Sequence, residues 1–136
     1  MESNFIYRFF KGTWGIYVSL TAEITPYSNV EEKPIETIRG VYLDIKAKLP
    51  IVEHQYLILG IALVKNQLEE WVNKNYPIII KVVKLDIVLT DYQEEGLACA
   101  LAGWIARELN LEYSEPVVYF SKEENRYIFP FSDLSL

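Results

Sequence analysis

Residues Trp14–Ile24 read WGIYVSLTAEI, and this stretch decides the fold. Its apolar side chains occupy every second position, which is the period of a β-strand with one buried face. The preceding segment, Phe5–Phe10, is rich in aromatic residues, and Lys11–Thr13 joins the two through a short turn in which Gly12 can take a positive φ. The chain therefore begins with a predicted β-hairpin.

The polar loop Thr25–Glu36 leads to a third predicted strand, about Thr37 to Leu49, which Pro50 ends. From about Glu53 to Asn75 the apolar period changes to that of a helix. One apolar stripe along this predicted helix consists of Leu57, Ile61, Val64, Leu68 and Trp71.

A strongly apolar strand is predicted from Ile78 to Thr90, but its alternation slips partway. Either a β-bulge near Val82–Val83 or burial on both faces accounts for the slip. A second helix, rich in small residues, is predicted from about Glu94 to Asn110, and Asn110 suits a helix C-cap.

A closing hairpin is predicted from Pro116–Phe120 and Arg126–Phe131, followed by a frayed tail at Ser132–Leu136. The predicted order is thus β-β-β-α-β-α-β-β in one α+β domain, residues 1–136. A mixed sheet with two helices packed on one face buries both apolar helix stripes most simply.

The charge balance is acidic, with a formal net charge of −6 and a sequence pI of about 4.8. Direct nucleic-acid binding is disfavoured because phosphate contacts come from Lys and Arg, whereas a basic protein partner suits this charge. The single cysteine permits no internal disulfide, and neither a signal peptide nor a membrane-spanning stretch is apparent. We therefore expect a soluble cytoplasmic protein that does not act at a membrane.

Several local sequences resemble domain IV of elongation factor G and of the ribosomal-protection tetracycline-resistance proteins. They span about residues 8 to 120, and no single one is specific. The matching segments are Lys11–Val18, Gly60–Glu70, Asn75–Ile79, the small-residue helix Leu97–Glu108, and Glu115–Val118. The resemblance implies a βαβ sandwich with an unusual left-handed crossover.

The sequence differs from that family at the two tips of the domain, through which the family acts. In the family, two tips of this domain enter the ribosomal decoding site. Here the first tip shrinks to Lys11–Thr13, Ile16 replaces the usual His, and the second tip, Thr90–Glu95, is acidic and has no His. No phosphate-binding loop of a GTPase is present in the sequence either. The scaffold therefore does not bring the family's function with it.

A catalytic site is not indicated, and no cofactor or metal is expected. His54 is the only histidine and is interpreted as a surface or helix-start residue, while Cys99 is interpreted as a buried structural thiol. Asp44 and Asp86 could pair as acid and base, but each has lysine neighbours typical of a solvent-facing row. An enzyme would need a deep pocket lined by one of these two aspartates.

Carboxylates and tyrosines are the remaining candidates for function. Pairs of adjacent glutamates occur at four places, Glu31–Glu32, Glu69–Glu70, Glu94–Glu95 and Glu123–Glu124. Such pairs are often only solvated surface, and tyrosines can equally form an apolar layer under loops. We expect Tyr17, Tyr42, Tyr92, Tyr119 and Tyr127 to lie on exposed rows or edges, a composition suited to protein recognition. The predicted partner-binding residues are Tyr27, Glu31, Glu32, Asp91, Tyr92, Glu94, Glu95, Glu123 and Glu124.

The sequence therefore predicts a non-enzymatic, acidic protein-binding module. Its most plausible role is that of an immunity or inhibitor protein that masks a basic partner such as a toxin or nuclease. The alternative is a translation accessory that docks on the ribosome, which would require a basic patch formed by Lys11, Lys46, Lys48 or Lys81. Free hairpin edges also allow a homodimer.

Overall fold

The computed structural model describes residues 1–12, 14–28 and 34–131. The predicted tail and part of the polar loop, including Glu31 and Glu32, lie outside the described residues. The elements, in chain order, are β1 (Ser3–Phe10), β2 (Gly15–Pro26), β3 (Ile35–Ile38), β4 (Val41–Ile45), α1 (His54–Leu63), α2 (Lys65–Lys74), β5 (Ile78–Ile87), α3 (Glu95–Leu109), β6 (Tyr119–Ser121) and β7 (Arg126–Ile128). There are also two short 3-10 turns in the described residues. Ile51–Glu53 precedes α1, and Leu89–Asp91 follows β5.

The main sheet has five strands in the order β1-β2-β5-β4-β3. Only β4 and β5 pair in parallel, and the other neighbours are antiparallel. β6 and β7 form a separate two-stranded hairpin. The predicted α+β class and mixed sheet are confirmed, with three helices where two were predicted.

The alternation in β2 places Ile16, Val18 and Leu20 on the buried face. α3 packs on β1 and β2, and Gly96 lets its backbone approach Ile16 and Val18 because a Cβ atom there would lie 2.7 Å from Ile16. α1 packs on α3 at Gly60. The predicted apolar stripe is confirmed, since four of its members are buried and Trp71 is half-buried.

The predicted long helix is wrong in one respect, because it divides at Val64. Val64 has φ −117° and ψ 20°, and its N–H donates to the carbonyl of Ile61 three residues back. This is the tighter bonding of a 3-10 turn, and a β-branched residue is among the poorer helix formers. Leu68 continues the buried stripe beyond the break, so both helices face the same core.

The third predicted strand is likewise two strands, β3 and β4, joined by a turn at Arg39–Gly40. Gly40 has φ +80°, a conformation that favours glycine. A Cβ atom at Gly40 would lie 2.7 Å from the side chain of Val72. The chain reverses at this glycine, which an alternation pattern alone does not reveal.

β5 ends at Ile87, three residues earlier than predicted, and the bulge within it is confirmed. Thr21 pairs with Lys84 and Ala22 pairs with Val82, which leaves Val83 without an opposite residue. α3 is followed by Asn110 with φ 53°, so its predicted role as a C-cap is also confirmed. The closing hairpin forms, although with shorter strands than predicted.

No helix in the described parts of the chain is long and apolar enough to cross a membrane.

Candidate protein-binding surface

The parallel pair β4 and β5 brings two separate segments to one edge of the sheet. The 3-10 turn Ile51–Glu53 comes soon after β4, and Leu89–Asp91 follows β5. Parallel strands run toward the same end of a sheet, so the segments that follow β4 and β5 leave the sheet in the same direction. A hydrogen bond joins the segments, since the hydroxyl of Tyr92 donates to Oε1 of Glu53 at 2.5 Å.

We call the surface at this edge the end face, and define it by Ile51, Val52, Glu53, Tyr56, Leu89, Tyr92 and Glu94. Its apolar members are unusually exposed: Ile51 at 83%, Val52 at 74% and Leu89 at 85% of their full surface. Single exposed apolar residues are common on proteins, but apolar and tyrosine side chains with polar residues around them suit an interface, which has an apolar core and a polar rim.

The two tyrosines of the end face are neutral hydrogen-bonding groups. Burial and the bond to Glu53 raise the pKa of Tyr92 well above its usual range. Burial, with the nearby carboxylates of Glu95 and Glu94, also raises the pKa of Tyr56. Both phenols therefore remain protonated at neutral pH. The O–H group of Tyr92 is already donated to Glu53, so Tyr92 offers a partner its oxygen as an acceptor.

Two of the predicted binding carboxylates have structural partners inside the molecule. Oδ1 of Asp91 accepts a hydrogen bond from the backbone N–H of Gly15 at 3.0 Å, which holds the turn between β1 and β2. Glu95 is buried and forms an ion pair with Arg126 at 2.9 Å. The side-chain amide of Gln93 also donates to Glu95, at 3.2 Å. Glu94, which belongs to the end face, is half-buried and stands between Gln93 and Glu95 in the sequence.

The other predicted binding residues divide between the two ends of the sheet. Glu123 and Glu124 are exposed in the β6–β7 turn, on the same side of the molecule as the end face, because the neighbouring Arg126 reaches Glu95. Tyr27 lies at the far end, where its N–H donates to Pro77 just before β5 begins and its ring stacks on Tyr42 at 3.9 Å. At about 3.3 Å per residue, β5 separates these ends by about 30 Å. Tyr27 is therefore not brought together with the acidic turn.

The expectation that Tyr127 is exposed is wrong. Tyr127 is fully buried, and its ring makes edge-to-face contacts with Phe9, Trp14 and Phe120. Its hydroxyl accepts hydrogen bonds from two backbone N–H groups of the β1–β2 turn. Tyr119, by contrast, is 61% exposed as expected. Alternation could not separate the two, because the hairpin folds back onto the first turn of the chain.

Sequence reasoning missed most of the end face. Ile51 and Val52 lie between Pro50 and the predicted helix start at Glu53, outside every predicted element, and Leu89 belongs to the end of a predicted strand. A signal was nevertheless present, because β4 and β5 flank a helical segment. A strand-helix-strand unit predicts parallel pairing and so places the two strand ends side by side.

The residues considered for chemistry have ordinary structural settings. Nε2 of His54 lies 3.1 Å from the carbonyl oxygen of Leu49 at the start of α1. Cys99 is buried as expected, and burial raises the pKa of its thiol to about 12. Asp44 and Asp86 form ion pairs with Lys46 and Lys84, at 3.2 and 3.6 Å. Within residues 1–12, 14–28 and 34–131, no group of three or more His, Cys, Asp or Glu side chains could hold a metal ion.

A second surface feature lies at the turn between β1 and β2. There a cleft of 640 Å³ is lined by Lys11, Gly12, Tyr119, Phe120, Lys122 and Asn125. Among the described residues that line this cleft, Lys11 and Lys122 are the charged ones.

No family model matches the chain, and no curated protein matches it. The assignment of function therefore rests on the geometry described above.

Proposed function

We propose that this protein is a non-enzymatic binding module that uses the end face to bind and mask a basic protein partner. The observation that carries the proposal is the hydrogen bond from Tyr92 to Glu53, which joins the two segments that carry the exposed side chains of Ile51, Val52 and Leu89. Glu94 lies close to Tyr92 and adds a second carboxylate. Binding of a partner removes the exposed apolar side chains from water, which favours the complex. The acidic residues around them favour a partner with a positively charged surface.

The surface charge and the tyrosines support the same proposal. A net charge of −6 favours fast, salt-sensitive association with a basic protein. Tyr56 and Tyr92 are held near the carboxylates with their hydroxyl groups protonated, and tyrosine is enriched among residues that dominate binding energy. These features best suit an inhibitor or immunity protein whose partner is a toxin or nuclease.

The experiment is a pull-down with the tagged protein at low salt and at about 0.5 M salt, where the screening length falls to a few ångströms. We expect one basic protein that is retained at low salt and reduced at high salt. Leu89→Ser and Glu94→Lys should each weaken its capture at least tenfold. Glu95 is a poor choice for mutation, because a change at this buried, ion-paired residue also perturbs the fold.

Matched controls come from outside the end face. Glu112→Lys makes the same charge change at an exposed residue beyond the opposite end of α3, and Val117→Ser removes an equally exposed apolar side chain. Both controls should bind as the unaltered protein does. Equal losses from the controls and the end-face variants would contradict the proposed surface.

One observation favours a second candidate function, docking on the ribosome. Lys11 and Lys122 flank the cleft at the β1–β2 turn, and Tyr119 exposes its ring there. Lysine beside an exposed aromatic ring suits RNA. This candidate predicts co-sedimentation with ribosomes that Lys11→Glu abolishes and Glu94→Lys leaves unchanged.

The likeness to domain IV of elongation factor G belongs with this second candidate. The mixed sheet, and a strand-helix-strand connection between β4 and β5, support it. A ribosome pull-down would favour this candidate over the inhibitor function, whereas capture of a single basic protein would favour the inhibitor.

A further inference from the structure

β1 is a long, regular strand at the edge of the sheet, and β2 is its one neighbour among the strands of the described residues. All eight of its residues pair with β2 without a register shift. Within the described residues, the backbone of β1 makes no hydrogen bond to any other backbone segment. The carbonyl of Ser3 accepts a hydrogen bond from Nε1 of Trp104 at 3.1 Å, so α3 covers the first residue of β1. Beyond Ser3, the outer N–H and C=O groups of β1 form a row that can pair with another strand.

The opposite edge of the sheet lacks this capacity. β3 has four residues, and its pairing with β4 shifts register between Glu36 and Ile38. Short and irregular edge strands are the usual means by which proteins prevent edge-to-edge pairing. β1 has neither a bulge nor a proline, and Arg8 is its only charged residue. The two edges thus differ, and only β1 presents a regular strand.

The side chains of β1 on the face away from the helices suit a second strand. Ile6 is 47% exposed and Phe10 69% exposed on this face. Between them, the guanidinium of Arg8 lies over the ring of Tyr17, 5.3 Å from its centre. Phe5, Tyr7 and Phe9 point to the other face, where they join the core. A second strand paired with β1 would cover Ile6 and extend the sheet on the side away from the helices.

We propose that this protein forms a symmetric dimer in which β1 pairs antiparallel with β1 of a second copy, joining two five-stranded sheets into one. A two-fold axis makes the interface self-complementary, so each residue meets its symmetry-related partner. A continuous sheet also requires that opposed residues point to the same face, which restricts the register. Placing the axis at Ile6 satisfies this condition and pairs nearly all of β1.

The charges of Arg8 in β1 and of Glu2, which precedes β1, favour a second copy over an unrelated strand. With the axis at Ile6, Arg8 lies opposite Asn4 of the partner subunit and diagonally beside Glu2 of the partner subunit. Diagonal neighbours are within reach of long side chains, so the carboxylate and the guanidinium attract each other twice in the dimer. The inference does not depend on the end face, and either proposal can fail alone.

Mass measurement by light scattering or sedimentation tests the dimer directly. We expect a mass that rises with concentration from 15.8 kDa toward twice that value. Ile6→Lys places two like charges together at the axis and should give a monomer at every concentration. Ile35→Lys makes the same change at a residue 53% exposed on the other edge and should dimerise as the unaltered protein does. Circular dichroism confirms that each variant is folded.

A charge exchange provides the second measurement. Arg8→Glu alone and Glu2→Arg alone should each weaken the dimer, whereas the double variant should restore it. Ile6→Cys should also form a disulfide-linked dimer under oxidation, because Cys99 is buried and residues on the axis are adjacent. A monomer at the highest attainable concentration, equal effects of Ile6→Lys and Ile35→Lys, or no recovery in the double variant would overturn the proposal.

Discussion

Removal of the Tyr127 hydroxyl, by Tyr127→Phe, tests how the closing hairpin holds the first turn of the chain. The hydroxyl oxygen accepts hydrogen bonds from the backbone N–H groups of Lys11 and Gly12, each at 2.8 Å. It donates its own hydrogen to the carbonyl of Trp14 at 2.5 Å. A phenol can accept two hydrogen bonds and donate one, so these three bonds use its full capacity.

The magnitude follows from those three bonds. Each intramolecular hydrogen bond contributes about 0.5–1.5 kcal/mol net, so three bonds set an upper limit of about 4.5 kcal/mol. Lys11 is exposed and Gly12 half-buried, so water can reach part of this turn and replace some of the loss. Phenylalanine keeps the ring contacts with Phe9 and Phe120, and no large cavity forms. We expect Tyr127→Phe to lower the free energy of unfolding by about 2 kcal/mol.

Urea unfolding measures this loss as a lower midpoint with an unchanged slope. Hydrogen exchange adds local evidence, because the amides of Lys11 and Gly12 should lose protection in Tyr127→Phe. Tyr119→Phe is the matched control, since Tyr119 lies on the same hairpin but is exposed, and it should unfold like the unaltered protein. A loss below about 0.5 kcal/mol, or unchanged exchange at both amides, would refute this account of the turn.

Three further predictions concern the buried groups around α3. The pKa of Cys99 is raised from 9.0 to about 12, so the stability contributed by the protonated thiol is complete below pH 9 and is lost as pH rises toward 12. The stability difference between the unaltered protein and Cys99→Ala should therefore change by about 2 kcal/mol between about pH 8 and about pH 10.5, and a constant difference would argue against it. Gly60→Ala should destabilise by about 1–3 kcal/mol despite the better helix propensity of alanine, because its Cβ would lie 2.7 Å from the rigid carbonyl oxygen of Ala98. Thermal unfolding checks this, and stabilisation would show that α1 moves freely. Arg126→Met should cost about 2 kcal/mol in urea unfolding, less than a fully buried pair, because Glu95 is buried while Arg126 is 44% exposed. A negligible loss would mean that water solvates the carboxylate.

The elements that sequence reasoning predicted best are those whose pattern repeats over a long segment. The alternation in β2 placed Ile16, Val18 and Leu20 on the buried face because side chains of a strand alternate whatever they pack against. The slip in β5 indicated either a bulge or burial on both faces, and the structure has a bulge at Val83. Such signals depend on local backbone geometry alone, so no knowledge of the neighbouring strands is needed.

The elements that were wrong depend on single residues. Gly40 turns the chain between β3 and β4, and Val64 divides the long helix, yet neither interrupts the apolar pattern around it. The candidate site was harder still. Glu95 and Tyr127 look like surface residues in sequence, but an ion pair and three hydrogen bonds satisfy their polar groups inside the molecule. A polar residue can be buried only when its partners are present, and those partners are distant in sequence.

The sequence by itself determined the class of this fold, which face of its long strands and helices is apolar, and its acidic charge. These properties follow from the period of the apolar residues and from a simple count of ionisable groups. Only the tertiary structure decided which carboxylates remain available, because Asp91 and Glu95 are engaged by residues far along the chain. The end face also exists only in three dimensions, since parallel pairing of β4 and β5 brings Glu53 to Tyr92 across 39 positions of sequence.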